Sequence, residues 1–195
     1  MSALLALVFT LAAGLAIWPA SALAAPPAQL RACPDPEKLI TVPQAAARLW
    51  SERQSYDALC LYMASMGLAR TDAVKATDLY VLGRARSRFD LLRCETWPHG
   101  PMSSATASMR MGAEQALSTA GVTTFLPQLI AVTQLASTYD YEFDDLEQMC
   151  DGGSLKPEKD WKAEQERMQA GARAAAAEAP VANSPPSTAP KSTAD

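Results

Sequence analysis

Histidine is nearly absent: the 195-residue chain contains one, His99. With four cysteines and no C-x2-C pair, a single histidine excludes the common Cys/His zinc sets. Glycine is also scarce, at 9 residues, and stands mostly at the ends of periodic segments. That excludes a glycine-rich phosphate loop and a dinucleotide fingerprint. Valine and isoleucine are sparse, and no stretch alternates apolar and polar residues over a strand's length. A nucleophile elbow and a zincin motif are missing too, so no catalytic constellation, metal set or cofactor site is expected. Charged residues make up 19% of the chain, with a net charge of −4. There is no basic excess to neutralise phosphates, which argues against nucleic acid as a partner.

One long apolar run is present, from Leu4 to Trp18, broken by Pro19 and followed by small residues. Neither lysine nor arginine precedes it. The run is shorter than the ~20 residues a bilayer span needs. Ala22 and Ala24 occupy the two positions that a signal peptidase reads, so residues 1–24 are expected to be a signal peptide cut after Ala24, with a retained anchor as the alternative. A periplasmic or secreted protein follows, with no stable membrane span after cleavage.

The remaining chain follows helical periodicity. Residues 25–37 carry Pro26, Pro27, Pro34 and Pro36 and read as an extended arm tethered by Cys33. A helical domain is expected over 38–152. Thr41 caps its first helix, which runs past Pro43 to Met66 with a break near Gln54, and Gly67 closes it. Thr71 or Asp72 caps a second helix whose stripe is Val74, Leu79, Leu82, Ala85, Phe89 and Leu92. Pro98 ends it, and Ser103 or Ser104 opens a third that Gly121 closes. A further helix begins near Thr124 and runs through Tyr139 and Phe143 to Cys150. Residues 153–179 form a last helix with a thin apolar edge of Trp161, Met168 and Ala172. Residues 180–195 form a Pro/Ser/Thr-rich tail too polar to order itself. The fold class is therefore all-α: a small helical bundle of about five helices, stapled by disulfides.

An aromatic-Asp-x-Leu tetrad recurs ahead of three cysteines, at Tyr56, Phe89 and Phe143. On a helix its aromatic and leucine share a face, and the Asp can pair with Arg53 or Arg86 one turn earlier. The matches are short and unequally spaced, so reuse of common helix residues is favoured over an internal duplication. An even cysteine set in an exported chain is a disulfide framework. In an antiparallel hairpin turning near residues 67–71, Cys60 lies ~10 Å from the turn and Cys94 more than ~30 Å away. Bridged α-carbons lie within ~7 Å. That disfavours Cys60–Cys94 and favours Cys94–Cys150 with Cys33–Cys60. Cys33–Cys94 with Cys60–Cys150 remains the alternative.

Charge is uneven. Arg84, Arg86, Arg88 and Arg93 cluster, and Asp140, Asp144 and Glu147 lie on one helical stripe of an acidic block. That block lacks the glycine and glutamate of a calcium loop. Between them stands a stiff turn, Trp97-Pro98-His99-Gly100-Pro101. Arg84, Arg86, Arg88, Trp97, His99, Asp140, Asp144 and Glu147 are thus the partner-binding candidates. The expected function is a non-enzymatic protein-binding module, of an immunity or inhibitor type, whose partner is another envelope protein. An accessory role in an envelope or secretion machine is the alternative. A copper-handling role through His99, Met102, Met109 and Met111 is a third reading, weakened because Met109 and Met111 diverge on a helix. The sequence does not fix an oligomeric state.

Overall fold

In a computed structural model of the chain, the described residues are 28–135, 138–139, 141–142, 149–150 and 152–178. The expected signal peptide, the polar tail and the acidic stripe of Asp140, Asp144 and Glu147 lie outside them. So does the third tetrad, Phe143 to Leu146. Seven α-helices are described: α1 Pro36–Thr41, α2 Pro43–Ser51, α3 Ala58–Leu68, α4 Ala73–Arg93, α5 Pro101–Thr119, α6 Leu126–Gln134 and α7 Glu158–Glu178. The only described strand pairing is a parallel contact of two residues each, β1 Ala28–Gln29 with β2 Tyr141–Glu142. The fold is an all-helical bundle.

The helix α3 is the centre. Its sequence ALCLYMASMGL is apolar on all sides, the mark of a helix surrounded by others. It packs against α1, α2, α4 and α5. Leu61, Tyr62 and Ala64 are fully buried there with Leu79, Tyr80 and Ala113. Its polar groups are paired: the Ser65 hydroxyl donates to the Ala76 carbonyl at 2.8 Å, and the Tyr62 and Ser87 hydroxyls share a bond of 2.9 Å. Asp57 caps its start by accepting from the Cys60 N–H at 2.7 Å. Asp72 caps α4 in the same way, accepting from Lys75 N–H at 3.0 Å.

Two disulfides staple the bundle, Cys33–Cys60 with α-carbons 5.6 Å apart and Cys94–Cys150 with 5.5 Å. The first holds the N-terminal arm on α3. The second holds the end of α4 to the segment that leads into α7.

Several local expectations need correction. Asp35 starts the helix α1 inside the arm, accepting from Lys38 N–H at 3.2 Å, so the chain is helical from Pro36 and Thr41 is not a cap. Gly67 does not end α3. It is the point where α1 crosses, and a Cβ there would collide with the Leu39 carbonyl oxygen. The first tetrad straddles a helix start, since Tyr56 is extended and Asp57 is the cap. Val74 is 75% exposed, outside the buried stripe of α4. Gly100, not Ser103 or Ser104, caps α5, with Pro101 as its first residue. The helix expected to reach Cys150 stops at Gln134, where Leu135 turns extended, and Tyr141 lies in a strand pair. Gly121, with φ of +86°, closes the region after α5.

The helix α7 lies against α4 and α6. Trp161 meets Phe89 edge-on with ring centroids 5.8 Å apart, and Ala172 is buried. The apolar edge that looks thin in sequence is spent on the bundle.

Candidate functional site

The arginine cluster divides by helical phase. At 3.6 residues per turn, Arg86, Asp90 and Arg93 share one face of α4, while Arg84 and Arg88 share the opposite one. The inner face is a buried polar row. Arg86 is 1% exposed, Asp90 2% and Arg93 5%. Arg86 donates to the Tyr56 carbonyl, and to the Gln54 carbonyl at 2.9 Å. It is therefore not a partner-facing residue, as its sequence context suggested. It locks the short 3-10 turn Arg53–Ser55 to α4. That turn in turn receives the arm, through Arg31 N–H donating to the Ser55 carbonyl at 2.7 Å.

Asp90 accepts from the Tyr141 hydroxyl at 2.7 Å and faces Arg93 at 3.8 Å. Burial outweighs the pull of Arg93, and the carboxyl is pushed up to about 6. Burial likewise raises the Tyr141 phenol. The Arg93 guanidinium lies 4.1 Å from the Phe89 ring centroid and 5.1 Å from those of Tyr141 and Trp161. This aromatic cage offsets the loss of water around the cation. The row binds β2, α7 and the 53–57 turn to one helix face. Buried to this degree, its side chains present almost no surface to solvent.

The outer face is different. Arg84 is half-buried and Arg88 exposed. Both line a groove between α4, α6 and α7, together with Arg167. These are the two arginines of the candidate set that meet a concave surface.

The turn after α4 is the third feature. Its base is fixed on both sides. Cys94 is bridged to Cys150 and pairs with Leu155 as an isolated antiparallel bridge. Glu95 N–H donates to the Ser154 carbonyl at 3.0 Å, and Lys156 N–H to the Arg93 carbonyl at 2.7 Å. Pro98 is buried, and Gly100 caps the start of α5. On this fixed base Trp97 is 61% exposed and His99 is also exposed. A polar cleft of about 360 Å³ runs from Glu95 along Lys156 and Asp160 to Arg167.

The Ser103 hydroxyl is spent on the Gly100 carbonyl at 3.1 Å. Met109 packs against the core whereas Met111 is 57% exposed, so the two do not converge. Among the described residues, no cluster of three His, Cys, Asp or Glu side chains could hold a metal. No described helix is long and apolar enough to cross a membrane. No protein family, curated protein or solved structure matches the chain.

Proposed function

We propose that this protein is an exported, non-enzymatic binding module of the immunity or inhibitor type, and that the Trp97–His99 turn is its anchor on another envelope protein. The observation that carries this reading is the exposure of Trp97 on a turn whose base cannot move freely. Trp97 is the aromatic among the exposed large apolar side chains of the described residues, which sets it apart from scattered aliphatic ones that need no partner. Trp is also the residue most enriched among binding hot spots, and a fixed loop loses little entropy on docking. The two disulfides support an oxidising compartment. Arg84 and Arg88 would add steering of an acidic partner rather than most of the affinity.

The test is capture of the partner from envelope extract by wild-type protein, Trp97→Ala and Arg70→Ala, the last an exposed control on the α3–α4 turn. Loss of a hot-spot Trp costs ~2 kcal/mol or more, roughly thirtyfold in affinity. Equal capture by all three proteins would refute the assignment of the anchor.

A further inference from the structure

The groove between α4, α6 and α7 encloses about 450 Å³. Small-molecule sites occupy roughly 300–1,000 Å³ and combine apolar walls with a few polar groups. This one has both chemistries. Leu92, Leu129 and Met168 line it half-buried, so part of their apolar surface remains open to water. Arg84, Arg88 and Arg167 line the same space against a single carboxylate, Glu164. Glu164 is already taken by Arg167 at 2.8 Å. Arg84 stacks over the Phe125 ring, 5.6 Å from its centroid. Arg88 makes no hydrogen bond or ion pair among the described residues. A guanidinium with no hydrogen-bond or ion-pair partner among the described residues, beside exposed apolar surface, is suited to an anion that carries its own apolar part.

The groove's walls limit what that anion is. The helices α6 and α7 touch, and the Gln134 side chain donates to the Ala172 carbonyl at 3.4 Å. A partner helix is ~10–12 Å across and would have to part them. A single alkyl chain would not. Guanidinium forks match planar carboxylates by two parallel hydrogen bonds. We propose that the groove binds a free single-chain amphiphile with a carboxylate head, of the fatty-acid class. The carboxylate pairs with Arg88, with Arg84 beside it, and the chain lies over Leu129 and Met168. This site does not depend on the Trp97 turn.

The experiment is calorimetric titration of the full mature protein with sodium dodecanoate below its micelle-forming concentration. Dodecyltrimethylammonium and acetate serve as the matched chain and matched head. Saturable one-to-one binding of dodecanoate is expected, with neither control binding comparably. Arg88→Glu should weaken it at least tenfold and Arg88→Gln less, while Arg70→Glu leaves it unchanged. Circular dichroism confirms that each variant is folded. The proposal is overturned by no saturable binding, by binding that ignores Arg88→Glu, or by equal binding of the cationic amphiphile. Binding only to vesicles of anionic phospholipid would equally overturn it, since that reports surface charge rather than a groove. If Arg88→Glu abolishes capture of a protein partner while dodecanoate fails to bind, the groove belongs to a protein interface and the amphiphile is excluded.

Discussion

Replacing Asp90 with asparagine should make the protein relatively more stable as the pH rises. The carboxyl is buried, and its folded-state value is raised from 3.8 to about 6, with burial as the largest cause. The unfolded chain therefore releases this proton at a lower pH than the folded protein does. Stability from the neutral carboxyl is complete below ~pH 4 and is lost as the pH rises through about 6. A shift of about two units at ~1.4 kcal/mol each gives roughly 3 kcal/mol. The asparagine side chain would still accept from Tyr141 but cannot ionise. The groups facing Asp90 are Arg93, Arg86, Tyr141 and Asp57. Of these the Tyr141 phenol is raised by burial and stays protonated through this window. Asp35 and Asp72 are held low by Lys38 and Lys75, and their opposite contribution cancels in the wild-type-minus-variant difference. The assay is urea unfolding of both proteins with disulfides intact, at ~pH 4 and ~pH 7.5. Asp90→Asn should gain roughly 2 kcal/mol of this relative to wild type between the two, since the unfolded carboxyl is already more than half ionised at ~pH 4. A flat difference, or one of opposite sign, would show that the arginines win over burial and that Asp90 is ionised throughout.

Three further outcomes follow from packing, and a fourth from the buried arginine. Gly67→Ala should cost ~1–3 kcal/mol, because its Cβ would meet the Leu39 carbonyl and push α1 off α3. Gly171→Ala, with nothing within 4 Å, should instead raise the melting temperature through the ~0.5–1 kcal/mol helix preference of alanine. Removing the second bridge with Cys94→Ser and Cys150→Ser should cost ~2–4 kcal/mol in denaturant, with proteolysis opening the Trp97 turn first. Arg86→Met should leave the Tyr56 and Gln54 carbonyls unpaired at ~1–3 kcal/mol each, seen as new cleavage within residues 53–57 under limited proteolysis.

The bundle was legible because α3, α4 and α5 carry long apolar periods and end at Asp, Pro and Gly residues with defined roles. The same helix lengths set the cysteines, because a bridge from Cys60 to Cys94 would need the far end of a 21-residue helix to return. The arginines misled for a physical reason. Arg86 and Arg93 stand at the spacing of Leu79, Leu82 and Phe89, positions that the period assigns to the core. Their charge suggested solvent, but loop carbonyls and aromatic rings supply part of what water would, the Nε of each having no bond partner among the described residues. The period of α4 therefore held more information than residue type. The end of α6 was not legible, since Tyr139 and Tyr141 continue an apolar pattern while serving a separate cluster around Phe89. The groove could not be read from sequence at all, because Arg84 and Arg88 meet Arg167 only through the docking of α7.

If the Trp97 turn anchors this protein on a partner, a probe placed at its tip should reach that partner. A photo-crosslinking benzoylphenylalanine at position 97 of the full chain, expressed in the cell that makes it, reads this out. A matched probe at Ser108, exposed on α5, is the control. One discrete adduct is expected from position 97 that the Ser108 probe does not give. No adduct at 97, or the same adducts from both positions, would contradict it.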